Sequence, residues 1–241
     1  MWNNIGYDKC LSFINCQLKP VGKPVEPEIK PAVTISRLTG AGGRTVAGKL
    51  ADYLQTRIPA HCPWTVFDKN LMAKVLEDHH LSQQVAKYEP ENHKPFLRDV
   101  MEELLGLHPS SWTMVHQTAE TIWQLANMGY VILVGRGATV VTATLKNVFH
   151  VRLVGSQERR LERVRDVYHL DPEAALEFVK TEDKGRRRYL KEHYQKDVDD
   201  PLLYDLVINT DRISYDEAAR MIGDAVVNRF KLARPAPAPV L

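Results

Sequence analysis

Residues 39–45 read Thr-Gly-Ala-Gly-Gly-Arg-Thr, and this turn is the first place where residue types and spacing suggest chemistry. Glycines let main-chain amides close on an anion, and a helix that starts at such a turn adds its partial positive charge. A β-branched run at 33–35 leads into the turn. Val46, Ala47, Leu50, Ala51 and Leu54 follow it at helical spacing. Strand, glycine turn, helix is the layout of a phosphate cradle. Set against the pattern G-x-x-x-x-G-K-[ST], Arg37 stands at the first glycine and Gly43 at the lysine. The geometry is matched rather than the letters, and a tight turn ahead of a surface helix is the plainer alternative.

Three further segments carry groups suited to anions. Phe67-Asp68-Lys69 puts a carboxylate at the end of a short strand. Asp68 is there either to meet a sugar, a base or metal-bound water, or to cap the helix that follows, and it is able to do both. Gly135-Arg136-Gly137-Ala138 comes directly after an apolar run. It presents a guanidinium fork for phosphate with room for close backbone approach, or an arginine salt-bridged to a neighbouring helix. Glu182 to Tyr189 holds Lys184, Arg186, Arg187 and Arg188. On a helix Lys184 and Arg188 share a face and Arg187 points elsewhere. The run reads as a lid over phosphates, as a solvated charged face or as a nucleic-acid patch.

The elements that must position these groups alternate along the chain. Strands are predicted at about 32–36, 64–67, 130–134, 148–154 and 204–209. Helices are predicted at 44–57, 70–78, 94–105, 111–128, after Ser156, at 172–195 and at 216–230. Gly129 stops the fourth helix, and Trp112 and Trp123 on that helix are placed in the core. Alternation of strand and helix implies crossover units, a mostly parallel sheet and ligands at the strands' carboxyl ends. Residues 1–30 read as an extension with a proline-rich linker, in which 10–14 form a helical turn or a short strand. Residues 31–230 read as one domain with a lid at about 172–200, and residues 231–241 as a Pro/Ala-rich tail.

Composition sets the class. The 241 residues are 44% hydrophobic and 26% charged with a net charge of +2. These are the proportions of an ordinary globular chain with no overall nucleic-acid signature, so nucleic acid is not an expected partner. Cys10, Cys16 and Cys62 give neither metal-ligand spacing nor an even disulfide framework, and the default placement is a reducing cytoplasm. No apolar run approaches the ~20 residues needed to span a bilayer, and no signal-peptide pattern is seen, so no membrane partner is expected.

Taken in order, the four segments resemble the P-loop nucleoside monophosphate kinases, and most closely the cytidylate kinase-like family, over about residues 31–230. Thr34-Ile-Ser-Arg-Leu-Thr-Gly-Ala-Gly-Gly-Arg-Thr45 is similar to that family's P-loop. Phe67-Asp68-Lys69, Gly135-Arg136-Gly137, Asp183-Lys184 with Arg187, and Asp200-Pro201 followed by Tyr204–Thr210 are similar to its later markers. The resemblance implies a three-layer P-loop kinase fold with a mostly parallel five-stranded sheet, helices on both faces and a helical lid. It implies ATP-dependent phosphoryl transfer to a nucleoside monophosphate, CMP or dCMP first, with Mg2+. By the same resemblance, amides of Gly40, Ala41, Gly42, Gly43 and Arg44 cradle the donor phosphates, Thr45 reaches them through its hydroxyl, and Thr210 lies near the adenine. Arg37, Asp68 and Arg136 bind the acceptor, and Arg44, Arg136, Lys184 and Arg187 act on the transferred group. The chain departs from the family pattern at Gly43, where lysine is typical and Arg44 or Arg37 is the candidate replacement, at Gly137, where cytidylate kinases have aspartate, and at Leu133-Val134, where no acid ends the strand. A nucleotide-binding regulator with little turnover is the alternative. A kinase with a non-nucleotide acceptor and an RNA-binding strip at 182–189 come after it. Metal ligands and oligomeric state are left open.

Overall fold

The computed structural model describes residues 11–17, 29–58, 62–69 and 110–232, with backbone alone for 110–114. The helices predicted at 70–78 and 94–105, the side chain of Trp112, Cys10, the core of the proline-rich linker and the tail from 233 lie outside the described residues. Five strands form one sheet: β1 Ala32–Arg37, β2 Thr65–Phe67, β3 Val131–Val134, β4 Val148–Val154 and β5 Leu206–Asn209. Their order is β2-β3-β1-β4-β5, and every neighbouring pair is parallel. The helices are α1 (residues 11–17), α2 Gly43–Arg57, α3 Ser110–Met128, α4 Ala138–Val141, α5 Gln157–Tyr168, α6 Pro172–Tyr194 and α7 Tyr215–Arg229.

The layering follows from connection handedness. The chain steps outward from β1 to β2 through α2 and back inward to β3 after α3. Parallel crossovers are right-handed, so reversing direction moves the connecting helix to the other face. α2 therefore packs with α7, and α3 packs with α4. β3 is buried along its whole length, as a run of Val-Ile-Leu-Val with no polar alternation requires. α2 turns Val46, Ala47, Leu50 and Leu54 fully into the core, and each such leucine contributes about 2 kcal/mol of burial. α5 begins at Ser156, whose hydroxyl accepts the Arg159 amide. α6 begins at Asp171, whose carboxylate accepts the amides of Glu173 and Ala174. α7 opens with a reciprocal capping box between Ser214 and Glu217.

At the amino end the helical alternative holds, while the burial of the segment in the core and a disulfide go beyond the sequence reading. Residues 11–17 are helical, and Phe13 and Ile14 are fully buried in the main core. Phe13 meets the Phe67 ring edge-on with centroids 5.7 Å apart. The expected absence of a disulfide is also corrected: Cys16 and Cys62 are bonded, with Cα atoms 5.9 Å apart. Sequence spacing did not reveal this pair because the tertiary fold, and not a local motif, brings α1 beside the segment entering β2. Phe13→Ala is expected to lower unfolding stability by about 3 kcal/mol, the cost of an aromatic-sized core cavity, measured by urea denaturation. Among the described residues no helix is long and apolar enough to cross a membrane.

Candidate active site at the carboxyl edge of the sheet

β1 and β3 lie side by side, so the turns that leave them open onto the same edge. The turn after β1 holds Gly40 at φ 80° and Gly42 at φ 79°. Both conformations lie in the left-handed region that glycine enters freely, and neither site has space for a side chain. A Cβ on Gly40 would strike the Arg160 carbonyl, and one on Gly42 would strike the Tyr215 ring. Gly42 caps α2 without a side-chain partner. Among the described residues the amides of Gly42, Gly43, Arg44 and Thr45 have no backbone acceptor, as the first turn of a helix leaves them. The Ala41 amide is the exception. Expected in the cradle, it donates to Leu38 O at 3.1 Å and closes the turn.

The turn after β3 is more unusual. Gly135, Arg136 and Gly137 have φ of 85°, 54° and 71° in succession. Arg136 is the only non-glycine of the three, and its left-handed backbone costs about 1 kcal/mol. Gly137 lies against the Tyr194 ring; a Cβ there would come 2.8 Å from Cε2. Burial pushes the phenols of Tyr189 and Tyr194 upward, so both stay neutral beside this turn.

Both turns line one open cavity of about 1090 Å³, bordered on its far side by α5 and α6. Arg37, Arg44, Arg136, Lys184 and Arg163 all border it. Arg44 pairs with Asp68 through Nε and Oδ2 at 2.7 Å, which joins the glycine turn to the end of β2. Arg37 and Arg136 make no hydrogen bond or ion pair among the described residues. Burial, then the charges of Arg186 and Arg44, push the Arg37 guanidinium down to about 10, against weaker support from Asp68 and Glu182. Such a cation favours an anionic ligand, which restores its preference for the charged form.

Asp183 on α6 fastens that helix to the glycine turn. Its carboxylate accepts the Thr39 amide (2.8 Å), the Thr39 hydroxyl (2.6 Å), Arg160 (2.7 Å) and Arg186 (3.0 Å). Arg186 also donates to the Thr39 hydroxyl and to Glu182. Lower on the same helix, Arg187 donates to Asp199 (3.0 Å), which also holds Arg152 of β4, and Arg152 in turn donates to Ser36 (2.9 Å). Arg187 thus points away from the cavity that Lys184 and Arg188 line. Thr210 is likewise occupied: its carbonyl accepts Arg163 at 2.6 Å, and its hydroxyl donates to Val154 O at 3.1 Å. Arg163 then stacks over Tyr215 at 5.3 Å, beside Gly42.

The residues that sequence reading missed are therefore arginines of α5 and their acceptors. Arg160 and Arg163 lie three apart, which sets them on one helical face, and that spacing is the one local signal they carry. Among the described residues no group of three His, Cys, Asp or Glu side chains is placed to hold a metal ion. The carboxylates at the edge, Asp68, Asp183 and Asp199, are committed to arginines. The described side chains do not by themselves form a magnesium cage.

The chain is similar to several known proteins. The curated cytidylate kinase of Methanocaldococcus jannaschii is 26% identical over 202 residues, covering 83% of this chain and 99% of that one. A uronate isomerase from Corynebacterium glutamicum is 27% identical over 119 residues, which is 49% of this chain but only 23% of the isomerase. A solved structure of an uncharacterized protein from Eubacterium ventriosum shares the fold with a TM-score of 0.64 at 23% identity, over 83% of this chain and 99% of that one. The sequence model of the cytidylate kinase-like family matches residues 32–212, from the first residue of β1 to just beyond β5. The chain, with its parallel five-stranded sheet and its two glycine turns on one edge, belongs to the cytidylate kinase-like family.

Proposed function

We propose that this protein transfers the γ-phosphoryl group of ATP to a nucleoside monophosphate, with CMP or dCMP the first acceptors to try. The observation that carries the reading is the shared cavity, bordered by the glycine turn on one side and the Gly-Arg-Gly turn on the other. The amides of Gly40, Gly42, Gly43 and Arg44 would receive the donor phosphates, with the Thr45 hydroxyl beside them. Arg163 and Tyr215 would flank the donor nucleoside. Arg136 would hold the acceptor phosphate, Arg44 and Asp68 would border the acceptor nucleoside, and Lys184 would approach from α6.

Phosphoryl transfer needs positioning and neutralised oxygen charge more than covalent help. A phosphate acceptor already carries an ionised attacking oxygen, so no strong general base is required. Closure of α5 and α6 over bound substrates would strengthen each charged contact by excluding water. Mg2+ would travel on the donor's phosphates and waters, as that ion commonly does. At Gly137 the backbone is left-handed and a Cβ would come 2.8 Å from the Tyr194 ring, so an aspartate there would strain the turn, and contacts to the acceptor base would have to come from other residues. The test is product formation from ATP with each common ribo- and deoxyribonucleoside monophosphate, separated chromatographically. Diphosphate should appear with at least one pyrimidine acceptor, and its absence with all of them sinks the reading.

A second reading is favoured by Gly43 and by the acid-free end of β3 at Val134: a nucleotide-binding regulator without turnover. Tight calorimetric binding of ATP and of a non-hydrolysable analogue, with no diphosphate formed from any acceptor at high magnesium, would select it.

A further inference from the structure

The glycine at position 43 has a structural cause. Arg37 is the last residue of β1, and its side chain runs over Gly43. A Cβ at 43 would come 2.8 Å from Arg37 Cγ and 3.2 Å from Cδ. The guanidinium then spreads against Gly135 in the second turn. A Cβ there would strike Nη1 and come 3.0 Å from Cζ. Two glycines about ninety residues apart thus leave a channel that the Arg37 side chain fills. The channel leads from the donor turn to the acceptor turn.

The other arginines near the glycine turn are held by protein acceptors. Arg44 is on Asp68, Arg160 and Arg186 are on Asp183, and Arg163 is on Thr210. The N–H donors of Arg37 have no protein acceptor among the described residues, and its partly buried side chain borders the cavity. A guanidinium fork with no internal partner is free to donate to a phosphate there.

We propose that Arg37 is the catalytic cation of the transfer, reaching the migrating phosphoryl group from the strand in place of a loop lysine. Gly43 is small so that Arg37 can pass. The inference rests on the phosphoryl-transfer reading above. In the step, an ionised oxygen of the acceptor phosphate attacks the γ-phosphorus. The new P–O bond forms as the bond from the γ-phosphorus to the β–γ bridging oxygen breaks. The electron pair leaves on the β-phosphate, giving the nucleoside diphosphate of donor and acceptor with no proton transferred. Arg37 donates to the non-bridging oxygens of the group in flight and offers a planar fork across two of them.

Four proteins test this: wild type, Arg37→Ala, Arg37→Lys, and Arg37→Ala combined with Gly43→Lys. Arg37→Ala should lower kcat by about 10²–10³-fold, the usual cost of removing one positioned donor. Added methylguanidinium, Arg37→Lys and the double variant should each recover about tenfold or more of that loss, the double variant because a loop lysine re-enters the vacated channel. A kcat for Arg37→Ala within threefold of wild type, or no recovery in any of the three, overturns the assignment. A binding measurement reads the same residue without turnover. Calorimetry should show that wild type prefers a non-hydrolysable triphosphate over ADP, and that Arg37→Ala loses about tenfold of the preference. An unchanged preference also overturns the assignment. Absence of turnover in wild type alongside loss of this preference in Arg37→Ala would instead retire the kinase reading and leave Arg37 as a γ-phosphate sensor.

Discussion

Replacing Arg136 with alanine is expected to lower kcat/KM for the acceptor monophosphate by about 10²–10³-fold, while the KM of the donor changes less than about threefold. The reason is the separation of roles along the sheet edge. Arg136 leaves β3, whereas the amides read as the donor cradle leave β1. Its guanidinium has no protein partner among the described residues, so its removal takes away a ligand contact and little else. Melting should therefore stay within about 0.5 kcal/mol of wild type, as for substitutions that break no internal contact. Arg136→Lys keeps the charge but loses the fork, and should recover about tenfold of the loss. Steady-state kinetics with donor and acceptor varied in turn check the split. Equal loss toward both substrates would place Arg136 on the transferred group instead of on the acceptor.

Asp183→Ala is expected to have the largest effect on stability. The carboxylate gathers four hydrogen bonds from the glycine turn, α5 and α6. Arg160 is nearly buried at 9% side-chain exposure, and it would lose its counter-charge. Removing one partner of such a pair costs about 3–5 kcal/mol because the remaining charge stays buried. In a chain of this size that is a drop of roughly 10 °C in Tm. Asp183→Asn keeps the shape of the side chain without its charge and should fall between. Urea titration gives the energy, and ATP binding gives the consequence for the turn, which should loosen once Thr39 is released. A Tm within about 2 °C of wild type, the effect of roughly a single kcal/mol, would show that α6 is held to the turn by something other than Asp183.

The lid expectation takes a specific form in this light. α6 spans Pro172–Tyr194 inside the expected region, and it is docked at two points, through Asp183 to the glycine turn and through Arg187 to Asp199. Of the cations in the run 184–188, Lys184, Arg186 and Arg188 border the cavity, with Arg186 also held in the Asp183 cluster, and Arg187 serves Asp199. A helix presents neighbouring residues in different directions, and only the packed partners decide which of them meets a ligand.

What the chain's own residues determined is local. Val-Ile-Leu-Val at 131–134 is a buried strand because it has no polar alternation, and the turns at 40–43 and 135–137 need glycine where the backbone turns left-handed. Each of those signals is contained within a few neighbouring residues, so the strand–turn–helix units, the parallel sheet and the family markers are legible in the amino-acid order alone. Tertiary structure alone decided the partners. Thr39 meets Asp183 across 144 positions, Cys16 meets Cys62, Phe13 enters the core, and Arg37 passes over Gly43 to reach Gly135. Each of these depends on the strand order β2-β3-β1-β4-β5, which sets turns from distant stretches of chain side by side. Charge and size can be read one residue at a time, but a salt bridge, or an arginine left without one, is a property of two surfaces that meet only when the sheet is assembled.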